Sequence, residues 1–237
     1  MCLWGPFATG LGCLYGLVRW KNPEVFRQTL KLLSWGLLKI ARLRVEVEGL
    51  EHLNATQPCL YFGNHQSALD IGTYGSICPR NCIMVAKKEV FWMPVIGLFF
   101  VVSGAVFLDR KKRDKAIAQL GSALDAIQQR GLSVAMFPEG TRNRSGKGML
   151  PLKRGPFHLA IAAQVPIVPI VSAELGEIAN FQKKLFRPGV VRMRVLPPVF
   201  TKGLTAEDVD QLSDKVRNQM LATVNELSQP GEYLGGR

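Results

Sequence analysis

The 237-residue chain has no charged side chain before Arg19, only three histidines, and five cysteines at irregular positions. Each scarcity excludes something. With no basic residues ahead of its apolar run and no small-residue cleavage site, the N-terminus does not read as a secretory leader. An odd cysteine set (Cys2, Cys13, Cys59, Cys78, Cys82) is not a disulfide framework, so reduced thiols facing the cytosol are expected. Cys78 and Cys82 form a lone C-x3-C, short of the four ligands zinc takes; they read as two buried small residues, and no metal is expected. The G-x-S-x-G elbow, the G-x-x-x-x-G-K-[ST] loop and H-E-x-x-H are all missing, so any catalysis must rest on other groups. Internal repeats and low-complexity linkers are absent too.

What is present is apolar and basic. Hydrophobic residues make up 47% and charged residues 20%, which excludes a disordered chain and provides for a sizeable core. Lys and Arg number 30 against 18 Asp and Glu, and residues 80–154 alone hold 14 against 5. An excess of this kind calls for an acidic partner: nucleic acid, anionic lipid or a phosphorylated substrate. RNA binders interleave basic residues with exposed aromatics, whereas the aromatic run 91–100 carries no charge, so nucleic acid is not expected. A non-catalytic basic protein that binds membrane or nucleic acid is the competing class.

Residues 1–18 are long enough as a helix to span ~27 Å, near the thickness of a bilayer core, although five Gly and Pro residues weaken them. They read as an apolar helical membrane anchor, spanning the bilayer or lying in its interface. Gly12 and Gly16 form a G-x-x-x-G suited to helix pairing. Leu30, Leu33, Leu37 and Ile40 repeat at helical spacing among Lys and Arg, which suits either a headgroup-layer helix or a core helix. From residue 44 the texture changes. Runs at 44–48, 59–62, 82–86, 132–137, 167–171 and 190–196 read as strands. Between them fall helical faces, Ile117/Leu120/Leu124/Ile127 and Val209/Leu212/Val216/Met220/Val224, the second opened by Thr205 and Asp208. This pattern predicts an α/β fold with a mixed, largely parallel sheet flanked by helices. The expected organisation is a membrane-associated segment at 1–43, a catalytic domain at 44–230 and a frayed tail at 231–237.

Four stretches can carry chemistry. Asn64-His65-Gln66-Ser67-Ala68-Leu69-Asp70 follows a strand, so His65 projects from a strand end, where α/β active sites gather. A turn can bring Asp70 to one imidazole nitrogen, fixing the tautomer and leaving the other nitrogen as a base. Phe137-Pro138-Glu139-Gly140-Thr141-Arg142 leaves another strand as a donor-rich loop. Its guanidiniums suit a phosphate, and Glu139 either orients donors or binds a substrate hydroxyl. Asp109 and Arg110 pair with each other or add a phosphate contact, and Lys87 and Lys88 are similar candidates. Residues 91–102 contain no charge; broken by Pro94 and Gly97, they form core or a surface for lipid tails.

Taken in order, N-H-Q-S-A-L-D (64–70), F-L-D-R (107–110), F-P-E-G-T-R (137–142) and V-P-I-V-P-I (165–170) resemble the four signatures of the glycerophospholipid acyltransferase family, on its lysophosphatidic acid branch. The resemblance covers about residues 44–200. It implies transfer of an acyl chain from an acyl thioester, carried by coenzyme A or acyl carrier protein, to the sn-2 hydroxyl of lysophosphatidic acid, forming phosphatidic acid. Another lysophospholipid, glycerol 3-phosphate, or a transacylation between lipids is the alternative. By the resemblance His65 is the general base and Asp70 its partner. Arg110, Glu139, Gly140, Thr141 and Arg142 belong to the acceptor and phosphate site, and Val165–Ile170 shapes the substrate region. His158 has no argued chemistry and reads as a core or capping residue. Implied partners are membrane phospholipids, lysophosphatidic acid and the acyl donor. No cofactor is implied, and the implied location is a membrane with the active site facing the cytosol.

Overall fold

The computed structural model describes residues 3–108, 113–145, 147–176, 178–180 and 185–229. Seven strands form one sheet: β1 (Leu43–Glu48), β2 (Leu60–Gly63), β3 (Cys82–Lys87), β4 (Val106–Leu108), β5 (Ser133–Met136), β6 (Ile167–Ser172) and β9 (Gly189–Val195), in the order β1-β9-β6-β2-β5-β3-β4. A separate two-stranded ribbon pairs β7 (Ala179–Asn180) with β8 (Leu185–Phe186). Every pairing in the large sheet is parallel except β6 with β9. The sheet is therefore mixed and largely parallel.

The central strand β2 is buried at all four positions, as a parallel strand covered on both faces must be. Leu60 and Phe62 point into one core with Val134, Met136 and Ile167, while Tyr61 joins Val168, Ile170 and Met193 in the other. The first core is closed by α5 (Arg113–Gln128), α6 (Gly155–Ala163) and α7 (Val209–Leu227). All five residues of the predicted face on α7 are buried, behind a capping box in which Thr205 and Asp208 bond each other's main chain. The second core is closed by α2 (Pro23–Ala41) and α3 (Asp70–Ser76), where the Ser34 hydroxyl donates to the Gly72 carbonyl at 2.5 Å.

A third cluster joins α1 (Trp4–Val18), α2 and α4 (Ile96–Val102) through Cys13, Val25, Phe26, Phe99 and Val102. The G-x-x-x-G face is what seats α1. A Cβ on Gly12 would lie 2.4 Å from the Thr29 side chain, and one on Gly16 would lie 2.3 Å from Val102. Here the membrane-spanning form of the anchor is corrected. Among the described residues no helix is long and apolar enough to cross a membrane, because α1 has only 15 residues and α2 places Glu24, Arg27, Lys31 and Lys39 along its length. Nor is α2 purely interfacial. Its Val25, Phe26, Thr29 and Leu33 are buried, while Trp35 and Ile40 face outward. His158 is exposed on α6, neither core nor cap. The predicted tail at 231–237 lies outside the described residues.

Candidate active site

Because β6, β2, β5, β3 and β4 run in the same direction, their C-terminal ends share one edge. Asn64 and His65 leave β2 there, Phe137 and Glu139 leave β5, Ser172 closes β6, and Lys87 closes β3. A sheet of this topology puts its reactive groups at that edge.

His65 Nδ1 lies 2.7 Å from Asp70 Oδ2, with the imidazole 22% exposed and the carboxyl 2%. Asp70 opens α3, and the same oxygen accepts the main-chain N–H groups of Gln66 (2.8 Å) and Ser67 (3.1 Å). Three donors therefore converge on one carboxylate oxygen. In the neutral imidazole this places Nδ1–H toward Asp70 and leaves the lone pair on Nε2. Asn64 anchors the loop on the neighbouring strand. Its Nδ2 donates to Ser172 O (2.9 Å), and Ser172 N donates back to Asn64 Oδ1 (2.8 Å). Gln66 completes the tie: its Nε2 donates to Ser172 O (3.2 Å), and its Oε1 accepts from Leu175 N (3.0 Å).

The loop after β5 grips the main chain of His65 from two sides. His65 N donates to Glu139 Oε1 at 2.7 Å, and Asn143 N donates to His65 O at 2.7 Å. Glu139 Oε2 accepts Leu150 N at 2.8 Å. The Glu139 carboxylate, 1% exposed, is thus committed to two of the protein's own amides rather than turned outward. Its burial pushes the carboxyl above its ordinary value, an effect opposed by those two amide donors. Asn143 braces the rest of the loop by donating to Lys147 O and Gly148 O and accepting from Ser145.

Of the remaining predicted groups, Gly140 turns the loop with φ of 74°, which glycine adopts without strain. Thr141, Arg142 and Arg144 are exposed, and none has an ion pair or side-chain hydrogen bond among the described residues. Lys87 stands on the same edge, 3.2 Å from Glu89. Asp109 and Arg110 lie outside the described residues. Residues 165–170 do not line an open surface: β6 is buried along its whole length, and it reaches the site through Ser172. Burial raises the Cys59 thiol to about 11 and the Cys78 thiol to about 12, so neither is a thiolate nucleophile at neutral pH. Among the described residues no three His, Cys, Asp or Glu side chains gather as metal ligands would.

Tyr74, Phe137 as a ring rather than a loop residue, and Gly63 were not singled out by sequence reasoning. Phe137 stacks on the His65 imidazole, with centroids 4.2 Å apart and planes 15° apart. Tyr74 meets Phe137 edge-on at 5.4 Å. The one available signal was Gly63 at the end of a strand, where a Cβ would come within 2.9 Å of both rings.

Comparison with known proteins agrees with this architecture. A model of the acyltransferase family matches residues 44–173. The 1-acyl-sn-glycerol-3-phosphate acyltransferase alpha of Mus musculus is 41% identical over 220 residues, covering 92% of this chain and 76% of that protein. The 1-acyl-sn-glycerol-3-phosphate acyltransferase of Saccharomyces cerevisiae is 36% identical over 228 residues, covering 94% and 73%. The crystal structure of PlsC, the 1-acyl-sn-glycerophosphate acyltransferase of Thermotoga maritima, superposes with a TM-score of 0.71 at 24% identity, over 95% of this chain and 90% of that one. With a family model matched over more than half of its length and relatives 41% and 36% identical over most of it, the chain belongs to the acyltransferase family.

Proposed function

We propose that the protein transfers an acyl chain from an acyl thioester to the sn-2 hydroxyl of 1-acyl-sn-glycerol 3-phosphate, forming phosphatidic acid, with His65 as general base. The observation that carries this reading is the 2.7 Å contact between His65 Nδ1 and Asp70 Oδ2 beside a loop whose two arginines have no ion-pair partner among the described residues. Nε2 takes the hydroxyl proton, the alkoxide oxygen attacks the thioester carbonyl, and the C–S bond breaks as the thiol leaves with the proton. A thioester already has a good leaving group. The base supplies about 10²–10⁴-fold, and orientation with oxyanion donors supplies the rest. Arg142 and Arg144 suit the acceptor phosphate as bidentate donors. The main-chain N–H groups of Thr141 and Arg142 have no hydrogen-bond partner among the described residues and face the same role.

The acceptor's single acyl tail has a place to go. On α1, Phe7, Leu11, Leu14 and Val18 repeat at spacings of 4, 3 and 4 and are all exposed; Phe91, Trp92, Met93 and Leu98 extend the apolar surface next to α4. Lys39 sits 4.8 Å over the Trp35 ring, the kind of aromatic and cationic margin that rests at a headgroup layer. In this reading the protein lies on one leaflet with the strand edge toward it. The experiment is thiol release by purified protein in mixed micelles, with lysophosphatidic acid set against glycerol 3-phosphate and other lysophospholipids. Release with lysophosphatidic acid that is lost in His65→Ala supports the reading; near-normal turnover of His65→Ala refutes the base.

A further inference from the structure

We propose that Phe137, held in turn by Tyr74, is a positioning residue that sets the plane of the His65 imidazole and so aims Nε2 at the acceptor hydroxyl. This inference rests on His65 being the base. The contact to Asp70 fixes where Nδ1 sits, but a single hydrogen bond does not fix a ring. The second torsion of a histidine is broad, and the imidazole can tilt about the Nδ1–Oδ2 line with little loss. A base that tilts carries Nε2 along an arc, and a misplacement of about 1 Å costs on the order of 10²-fold in rate.

The second constraint is the stack. Phe137 lies flat against one face of the imidazole, 4.2 Å away and 15° from parallel, which removes the tilt in that direction, and the side chain keeps 22% of its surface exposed. Phe137 does not float either. Tyr74 abuts it edge-on at 5.4 Å and 85°, the favoured arrangement of aromatic pairs. The Tyr74 hydroxyl lies 2.7 Å from Asn64 Oδ1, 2.9 Å from Asn64 O and 3.2 Å from Ile170 O. Burial, with Asp70 and Glu139 nearby, holds that phenol well above its ordinary pKa, so it stays a donor. Asn64 is locked to Ser172 by a reciprocal pair of bonds. The path His65–Phe137–Tyr74–Asn64 thus closes back on the residue that precedes the base, and Gly63 leaves the two rings the room to meet.

Phe137→Leu removes the flat face while keeping an apolar side chain; Phe137→Tyr restores a ring. Each is assayed in mixed micelles for kcat and for KM toward lysophosphatidic acid and an acyl thioester, beside His65→Ala, with thermal melting as the control. The His65 ring protons, shielded by the stacked phenyl, are followed by NMR. The expected result is a kcat loss of about 10–100-fold in Phe137→Leu with both KM values within about 3-fold, a downfield move of the His65 ring protons, and recovery of both rate and shift in Phe137→Tyr. Tyr74→Phe, which keeps the ring and removes its tether, is expected to lose a smaller part of kcat in the same pattern; it carries the test if Phe137→Leu does not fold. Full kcat in Phe137→Leu (or, if that variant does not fold, in Tyr74→Phe), or a loss that appears in KM instead, overturns the proposal. If His65→Ala is dead while the ring variants are fully active, only the positioning role falls. If His65→Ala is active, the base assignment falls first.

Discussion

Replacing Glu139 with glutamine tests whether the carboxylate in the Phe137–Asn143 loop serves the protein or the substrate. In the structure each of its oxygens answers one amide, His65 N–H at 2.7 Å and Leu150 N–H at 2.8 Å, with the side chain 1% exposed. Glutamine offers one acceptor oxygen and turns an NH₂ toward the other amide. A buried donor left unanswered costs about 1–3 kcal/mol. Removing a buried charge returns part of this, so a net loss of about 1–2 kcal/mol is expected, a fall in Tm of roughly 2–8 °C for a domain of this size. Because one of the two amides belongs to the base, kcat is expected to fall about 10-fold with KM for lysophosphatidic acid little changed. The pH dependence has a definite sign. Burial raises the folded carboxyl above its ordinary value of 4.5, with Asp70 reinforcing the rise and His65 opposing it. The stability linked to this proton is therefore present below 4.5 and lost as pH climbs through the folded value. Glutamine does not titrate, so the Tm gap between the native protein and Glu139→Gln is widest in acid and narrows as pH rises. A gap that widens with pH would mean that the two amide donors outweigh burial in setting this carboxyl; an effect confined to KM would mean that the carboxylate faces substrate and would refute the clamp.

Two further outcomes follow from the exposed groups. Arg142→Ala combined with Arg144→Ala is expected to raise KM for lysophosphatidic acid by about 10-fold or more, the effect shrinking at high salt, with Tm unchanged because neither guanidinium is paired among the described residues; unchanged KM would exclude both from the phosphate site. Leu14→Glu places a charge on the outward face of α1 and is expected to cut flotation with anionic liposomes several-fold while thiol release from fully soluble substrates persists; undiminished flotation would move the membrane contact elsewhere.

Much of this architecture could be read from residue order. Each central strand is a short β-branched or apolar run ending in a polar block, so the sheet edge and the proximity of His65 to the loop after β5 follow from topology alone. The helical spacing on α7 and its Thr205–Asp208 box were equally plain, since both are local patterns. What escaped was non-local. Glu139 sits beside arginines in sequence, which leaves open whether it orients donors or binds a substrate hydroxyl; the amide it accepts from lies 74 positions away, beyond the reach of a local pattern. Tyr74 looked like any residue of a short helix, and only the crossing of α3 over the end of β2 brings its hydroxyl to Asn64. An uncharged stretch of 18 residues gives no hint that its helix stops after 15 residues or that two of its glycines are taken up by Thr29 and Val102.

The loop between Phe137 and Arg144 alternates between two audiences. Phe137, Glu139 and Asn143 turn toward His65 and the interior, while Thr141, Arg142 and Arg144 turn toward solvent. On the proposed roles, inward positions answer to the rate of the reaction and outward ones to the binding of the headgroup, which makes the two properties separable by position within eight residues. By the same proposal, rewriting 141, 142 and 144 alone is expected to alter the lipid accepted while the contacts that hold His65 stay as they are.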